Sequence, residues 1–204
     1  MVGSFWKGKK VMRAYNEFPT NPRTTAQVMQ RQKFATIASL GGAFSNILKM
    51  TLKGYANGEQ NSLIGQFVGQ NIDYVTVSGS TVEVSYDKLE LTPPDHNLTP
   101  VALGEANFST PLTVSVPIDD SYYDQRENSE DDKVYLVVYS KTGQGVMVSD
   151  GTTKRESDQV SVSVPGHWQG HYVEVYAFVM GDPTLDLTRG HWSETIYCGN
   201  GRIA

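Results

Sequence analysis

The sequence predicts an α+β chain: an N-terminal extended segment with an antiparallel helix pair in residues 1–71, then a β-sandwich in residues 72–204. Valine usage is the first reason. Four valines fall in residues 1–70 and eighteen in 71–204, and β-branched side chains favour a pleated backbone over a helix. The second reason is periodicity, which changes from helical spacing to strict alternation at about Asn71. Charge divides the chain nearby. Residues 1–58 hold nine basic side chains against Glu17 alone, or +8, whereas the remainder carries −13 within a total of −5.

The first segment, Ser4 to Tyr15, reads as extended chain or a loose hairpin bent at Gly8. In Asn21-Pro22-Arg23-Thr24-Thr25-Ala26-Gln27, Pro22 pushes Asn21 away from helical angles, and Thr24 with Gln27 fits a capping box. A helix is therefore expected to start at Thr24 or Thr25. Phe34, Ile37, Ala38 and Gly41, extended by Phe44, Ile47 and Leu48, form its apolar stripe, either as one helix or as two joined at Gly41-Gly42. Residues 54–58 read as a stop, and a shorter helix from about Ser62 to Gln70 carries Leu63, Ile64, Phe67 and Val68.

Beyond Asn71 the pattern alternates: Val75 and Val77; Val82, Val84 and Tyr86; Leu112, Val114, Val116 and Ile118; Val134 to Tyr139; Val160 to Val164; Val173 to Val179. A final strand is expected from Glu194 to Cys198. Ser78-Gly79-Ser80 suits a hairpin turn. Short strands separated by Gly, Pro and Asp clusters point to a sandwich of the immunoglobulin or fibronectin III general class. Cys198 is the only cysteine, so that class's intramolecular disulfide is impossible and any likeness is architectural.

Composition bounds function. At 204 residues with 39% hydrophobic and 19% charged side chains, the chain buries roughly 70% of its unfolded surface without staples. No apolar block of ~7–15 residues follows the N-terminal lysines, and no run approaches the ~18 apolar residues of a membrane helix. The expectation is a chain without a signal peptide or membrane span, cytoplasmic or virion-associated. The net acidity argues against a protein coated by nucleic acid. Phosphate-binding, dinucleotide, nucleophile-elbow and His-Glu-x-x-His patterns are missing, so the chain reads as a non-enzyme with no cofactor and no metal.

Phe5-Trp6-Lys7-Gly8, then Asn21-Pro22-Arg23-Thr24 with Gln27, Arg31 and Phe34, then Gly58-Glu59-Gln60-Asn61 resemble an uncharacterised family common in Bacteroidota genomes. The likeness covers about the first 90 residues; it implies a fold and no catalytic residues. Similar Asn-Pro-Arg-Thr helix starts look like segments of small phage structural proteins, which implies assembly.

Three groups of residues are candidates for contact. Lys7, Lys9, Lys10, Arg13, Arg23 and Arg31 form a basic pole suited to a protein partner, most simply another copy of the chain. Phe5, Trp6 and Val11 lie on an N-terminal strand able to join a neighbour's sheet edge. Trp168, Tyr172 and Trp192 could form an aromatic surface, and with it a carbohydrate- or surface-binding module is the alternative function; burial of the tryptophans in the sandwich end is the competing expectation. His167, His171 and His191 are expected to pack in loops rather than hold a metal. Asp119, Asp120, Asp124, Glu127, Glu130, Asp131 and Asp132 read as a solvated acidic loop available for docking. The leading expectation is thus a structural or adaptor protein that assembles through protein contacts in a phage particle or extracellular filament.

Overall fold

A computed structural model of the protein describes residues 2–6, 9–13, 23–52, 62–94, 98–119, 131–181 and 192–204. Within them the chain is a mixed α+β structure whose sheets are antiparallel. Strands β1 (Val2–Trp6) and β2 (Lys9–Arg13) pair as a hairpin, with Trp6 opposite Lys9. Helix α1 (Thr25–Ala43) begins where the capping signal predicts, and Thr24 Oγ1 accepts the Gln27 amide at 3.4 Å. Ser62 caps α3 (Leu63–Asn71) in the same way, through the Gly65 amide at 3.0 Å.

The helical break falls at Phe44, between α1 and α2 (Ser45–Thr51), rather than at Gly41-Gly42. Gly41 has a different role. A Cβ there would lie 3.0 Å from Phe67 Cδ1 and 3.3 Å from Ile64 Cγ2, so its missing side chain lets α1 and α3 approach closely. Phe44 is fully buried, with its ring centroid 5.2 Å from Tyr139, 6.0 Å from Phe67 and 6.2 Å from Tyr176. The break thus sits on an aromatic contact between helices and sheet.

Strands β3 (Val75–Ser78) and β4 (Thr81–Val84) form a hairpin whose turn uses Gly79 at φ 62°. Seven further strands follow: β5 (Ala102–Leu103), β6 (Thr113–Asp119), β7 (Lys133–Ser140), β8 (Gly145–Val148), β9 (Gln159–Ser163), β10 (Tyr172–Met180) and β11 (Ile196–Arg202). They make a four-stranded sheet in the order β11-β10-β7-β8 and a three-stranded sheet in the order β5-β6-β9.

The four-stranded sheet is covered on both faces. Val134, Leu136, Val138, Val173, Val175, Ala177 and Val179 share one buried cluster with Val114, Val116, Val160 and Val162 of the three-stranded sheet. Val137, Tyr139, Tyr176 and Phe178 share a second with Ile37, Phe44, Leu48 and Phe67 of the helices. Helices, sheet and sheet are therefore stacked as three layers, each contact made by alternate residues of β7 and β10. Burial on both faces explains why Val173 to Val179 read as an almost continuous apolar run.

Buried polar groups tie the layers through residues 89–92. Asn71 Nδ2 donates to the Phe67 and Glu90 carbonyls at 2.9 and 3.0 Å, and its Oδ1 accepts the Glu90 amide at 2.7 Å. Thr51 Oγ1 donates to the Leu91 carbonyl at 2.6 Å, and the Leu91 amide donates to Thr195 Oγ1 at 2.8 Å. Each bond satisfies backbone that would otherwise be buried without a partner.

Three strands differ from the sequence expectation, and one of them, the short β5, has no counterpart in it. The last runs from Ile196 to Arg202 rather than Glu194 to Cys198, because Gly199 at φ 108° takes up a register shift opposite Val175 and Tyr176 that lets pairing continue. Strand β8 lacks a signal of its own, being four residues that start with glycine.

Candidate functional site

The β7–β8 hairpin forms one border of the four-stranded sheet, and its surroundings hold the most structured surface features of the chain. Its turn ends at Gln144, held at φ 51°, a backbone region that non-glycine residues seldom occupy. Beside the turn, on the helix face, lies a cleft of about 380 Å³ lined by Ala35, Leu40 and Ala43 of α1 with Tyr86, Tyr139 and Gln144. The Tyr86 and Tyr139 rings stack with centroids 6.0 Å apart. Burial pushes the Tyr139 hydroxyl up to about 12, with the Tyr86 hydroxyl adding to the shift.

A charged cluster flanks this cleft. Glu174, buried on β10, accepts from Lys141 Nζ at 2.6 Å, and the same ammonium lies 4.9 Å from the Tyr86 ring centroid. Tyr197 donates its hydroxyl to the other Glu174 oxygen, and Asn200 Nδ2 donates to the Tyr197 oxygen at 2.9 Å. Burial, then the bond to the carboxylate, raise the Tyr197 hydroxyl to about 12. With an ammonium on one oxygen and a phenol on the other, Glu174 has the partners a buried charge requires. The arrangement is a clamp between the β7–β8 turn, β10 and β11.

A second cleft, of about 350 Å³, lies at the far end of β8 on the side of β9. It is lined by Val148, Asp150, Thr152 and Thr153 with Ser161 and Ser163. Asp150 accepts the Thr152 amide at 3.0 Å and the Thr152 hydroxyl at 2.7 Å, and these bonds hold its exposed carboxyl below the usual range. This cleft therefore carries a fixed negative charge at neutral pH.

The outer edge of β8 pairs with no strand among the described residues. The opposite border of the sheet is different. Strand β11 carries the shift at Gly199, and its Cys198 carbonyl accepts the Ala106 amide at 2.9 Å. Irregularity and cover both blunt a sheet edge, and β8 has neither a shift nor a charged residue along Gly145-Val146-Met147-Val148.

The sequence-predicted residues are distributed as follows. Trp168 is only 4% exposed and belongs to the core between the sheets, so it offers no surface ring. A Cβ on Gly145 would lie 2.7 Å from its ring, which shows how tightly the hairpin closes over it. Trp192 is half-buried against the helix-side core, and Tyr172 alone of the three is exposed. The aromatic surface is thereby reduced to one ring.

Of the basic pole, Lys9, Lys10, Arg23 and Arg31 are exposed. Lys7 and the side chain of Arg13 lie outside the described residues, as do the side chains of Phe5 and Trp6, whose backbone belongs to β1. Val11 is exposed on β2. The His167 and His171 rings stand 6.5 Å apart, while His171 Nδ1 lies 2.9 Å from Ser140 Oγ and the ring stacks on Trp168. His191 lies outside the described residues, and among those described no group of three metal-ligating side chains converges.

The acidic segment is corrected at one end. Asp132 is buried and pairs with the equally buried Arg155 at 3.3 Å, and Asp131 pairs with Lys154 at 2.6 Å. Asp120 to Glu130 lie outside the described residues. Sequence reasoning passed over Asp150, Tyr86, Tyr139 and Glu174. Glu174 inside an apolar run was the one available signal, since a lone acid there needs a partner.

Among the described residues no helix is long and apolar enough to cross a membrane. A comparison with curated proteins finds no match. Residues 1–188 match the model of a family of unknown function, DUF6266, and the chain belongs to that family.

Proposed function

We propose that this protein is a non-enzymatic structural or adaptor component that assembles through protein–protein contacts, as a part of a particle or filament. The observation that carries the reading is the coincidence of charge and apolar exposure. Among the described residues the large apolar side chains left exposed are Val11, Met12, Val28, Phe34, Ile64 and Tyr172, and all but Tyr172 lie in the first 64 residues. The same stretch holds the excess of cations, whereas residues 59–204 carry −13. A basic, partly apolar end and an acidic remainder suit head-to-tail contact, because opposite potentials steer association and set its orientation. Helix α1 fits this: in its first twelve residues, 25–36, no side chain is fully buried, Met29, Gln32, Lys33 and Thr36 are half-buried, and full burial starts at Ile37.

The finer architecture belongs to the same proposal. We read β5 to β11 as a fibronectin III-like sandwich; orders β5-β6-β9 and β11-β10-β7-β8, with one shared core, support it. Domains of that shape commonly serve as recognition modules, so the likeness is compatible with a contact role and adds no chemistry.

Sedimentation velocity and electron microscopy of the purified chain test the reading. Association that strengthens with concentration and weakens as salt rises is expected. A monomer at every concentration and ionic strength would overturn it.

A further inference from the structure

We propose that the β8 edge receives strand β2 from a second copy of the chain, which extends the four-stranded sheet across two molecules. This rests on the assembly reading above and names its contact surface. The two clefts argue for an added strand. One lies beside Gln144 on the helix face, the other beside Val148 and Asp150 on the β9 face, so they flank opposite ends and opposite sides of a four-residue edge. An extended strand lying on β8 places residues three apart about 10 Å from each other and on opposite sides. Backbone pairing supplies the affinity in such an addition, and pockets for alternate side chains supply the selectivity.

Strand β2 carries matching residues at that spacing. Met12 is 69% exposed, and the helix-side cleft, whose lining mixes polar Thr36 and Ser39 with apolar groups, offers it Leu40, Ala43 and the Tyr86 and Tyr139 rings. Lys9 is exposed three residues earlier, and the other cleft holds the Asp150 carboxylate. With Met12 opposite Val146 and Lys9 opposite Ser149, β2 runs antiparallel to β8, as every other pair in this sheet does. Hairpin β1–β2 is a sheet of two strands, a size with marginal stability of its own, and the addition gives it a larger sheet to join. Because β2 and β8 are different surfaces of one chain, the contact is heterologous and repeats into a ring or filament.

The test is charge reversal in the full-length chain, read by sedimentation velocity. Lys9→Glu and Asp150→Lys change exposed side chains, and each is expected to raise the dissociation constant about tenfold, a typical loss when a facing charge pair becomes like-charged. The chain carrying both changes restores the pair in reversed sense and is expected to recover wild-type association. Treatment of a mixture of Met12→Cys and Gln144→Cys chains with a short bismaleimide, which spans the ~7–8 Å diagonal between these positions, is expected to give the mixed dimer, with Glu83→Cys on the exposed face of β4 as the control position. Association unchanged in both single variants, or cross-linking no better at Gln144 than at Glu83, overturns this contact while leaving assembly intact. A wild-type chain that never associates overturns both.

Discussion

The two faces of the four-stranded sheet are built by different rules. The face toward the three-stranded sheet is aliphatic, with Val134, Leu136 and Val138 on β7 and Val173, Val175 and Val179 on β10. The face toward the helices is aromatic and polar, with Tyr135, Tyr139, Tyr176, Phe178 and Tyr197 around Glu174. Branched aliphatic residues fill a gap between two pleated surfaces by shape alone. A helical layer over a sheet leaves wider, less regular gaps; large rings fill them, and the hydroxyls reach backbone at the margins. Tyr176 shows this by donating to the Tyr86 carbonyl at 2.9 Å while its ring stays in the core. The helix face of this sheet thus combines ring packing with directional contacts at its margins, whereas the other face relies on packing alone.

The sharpest way to break the contrast is at its aromatic centre. Phe44→Ala is expected to cost about 3–5 kcal/mol, because it leaves a cavity among the Phe67, Tyr139 and Tyr176 rings at the junction of α1 and α2. Urea unfolding measured by circular dichroism gives the value. On the aliphatic face, Val175→Ala is expected to cost about 2–3 kcal/mol with the same denaturant slope, since only shape is lost.

Asn71→Ala is expected to cost about 2–3 kcal/mol despite its small volume, by stranding the amide and carbonyl of Glu90. Replacement by Ser, which returns one bond, recovers part of this in the same assay. Glu174→Gln is expected to cost less, about 1–2 kcal/mol, because Lys141 is 39% exposed and water replaces much of the lost attraction.

The smallest effect is one of pH. Tyr139 and Tyr197 titrate at about 12 in the folded chain and at about 10 in the unfolded chain. Their pKa values are raised by folding, so their contribution to stability is complete below about pH 10. It is lost as pH climbs through about 12, where the folded protein must also ionise them. Urea midpoints are expected to fall across that interval and to fall less in Tyr139→Phe. A midpoint unchanged from pH 9 to pH 12 would contradict the burial of these hydroxyls.

Much of the fold was legible because its signals are local. Thr24 and Ser62 announced the starts of α1 and α3, Gly79 announced its turn, and alternation marked β6, β7, β9 and β10. What was not legible depends on distant partners. The helix break at Phe44 is set by rings from β7 and β10, which no helical pattern contains. Gly201 near the end of β11 makes room for the distant Phe108, whose ring lies 2.4 Å from where a Cβ would stand. Trp168 could be read either way from sequence, since only the closing hairpin at Gly145 decides its burial. The clefts beside β8 combine residues 35–43, 86, 139 and 144 in one case and 148–163 in the other, so spacing along the chain could not bring them together.

Cys198 has a practical consequence. Its thiol is held at 5% exposure on β11, where burial raises it to about 12, and both conditions suppress reaction with alkylating reagents. Since the chain has no other sulfhydryl, the rate at which a maleimide dye attaches to the native protein times the separation of β11 from its neighbours. The molecule carries its own stopwatch for opening at that border, readable by mass spectrometry without any engineered label.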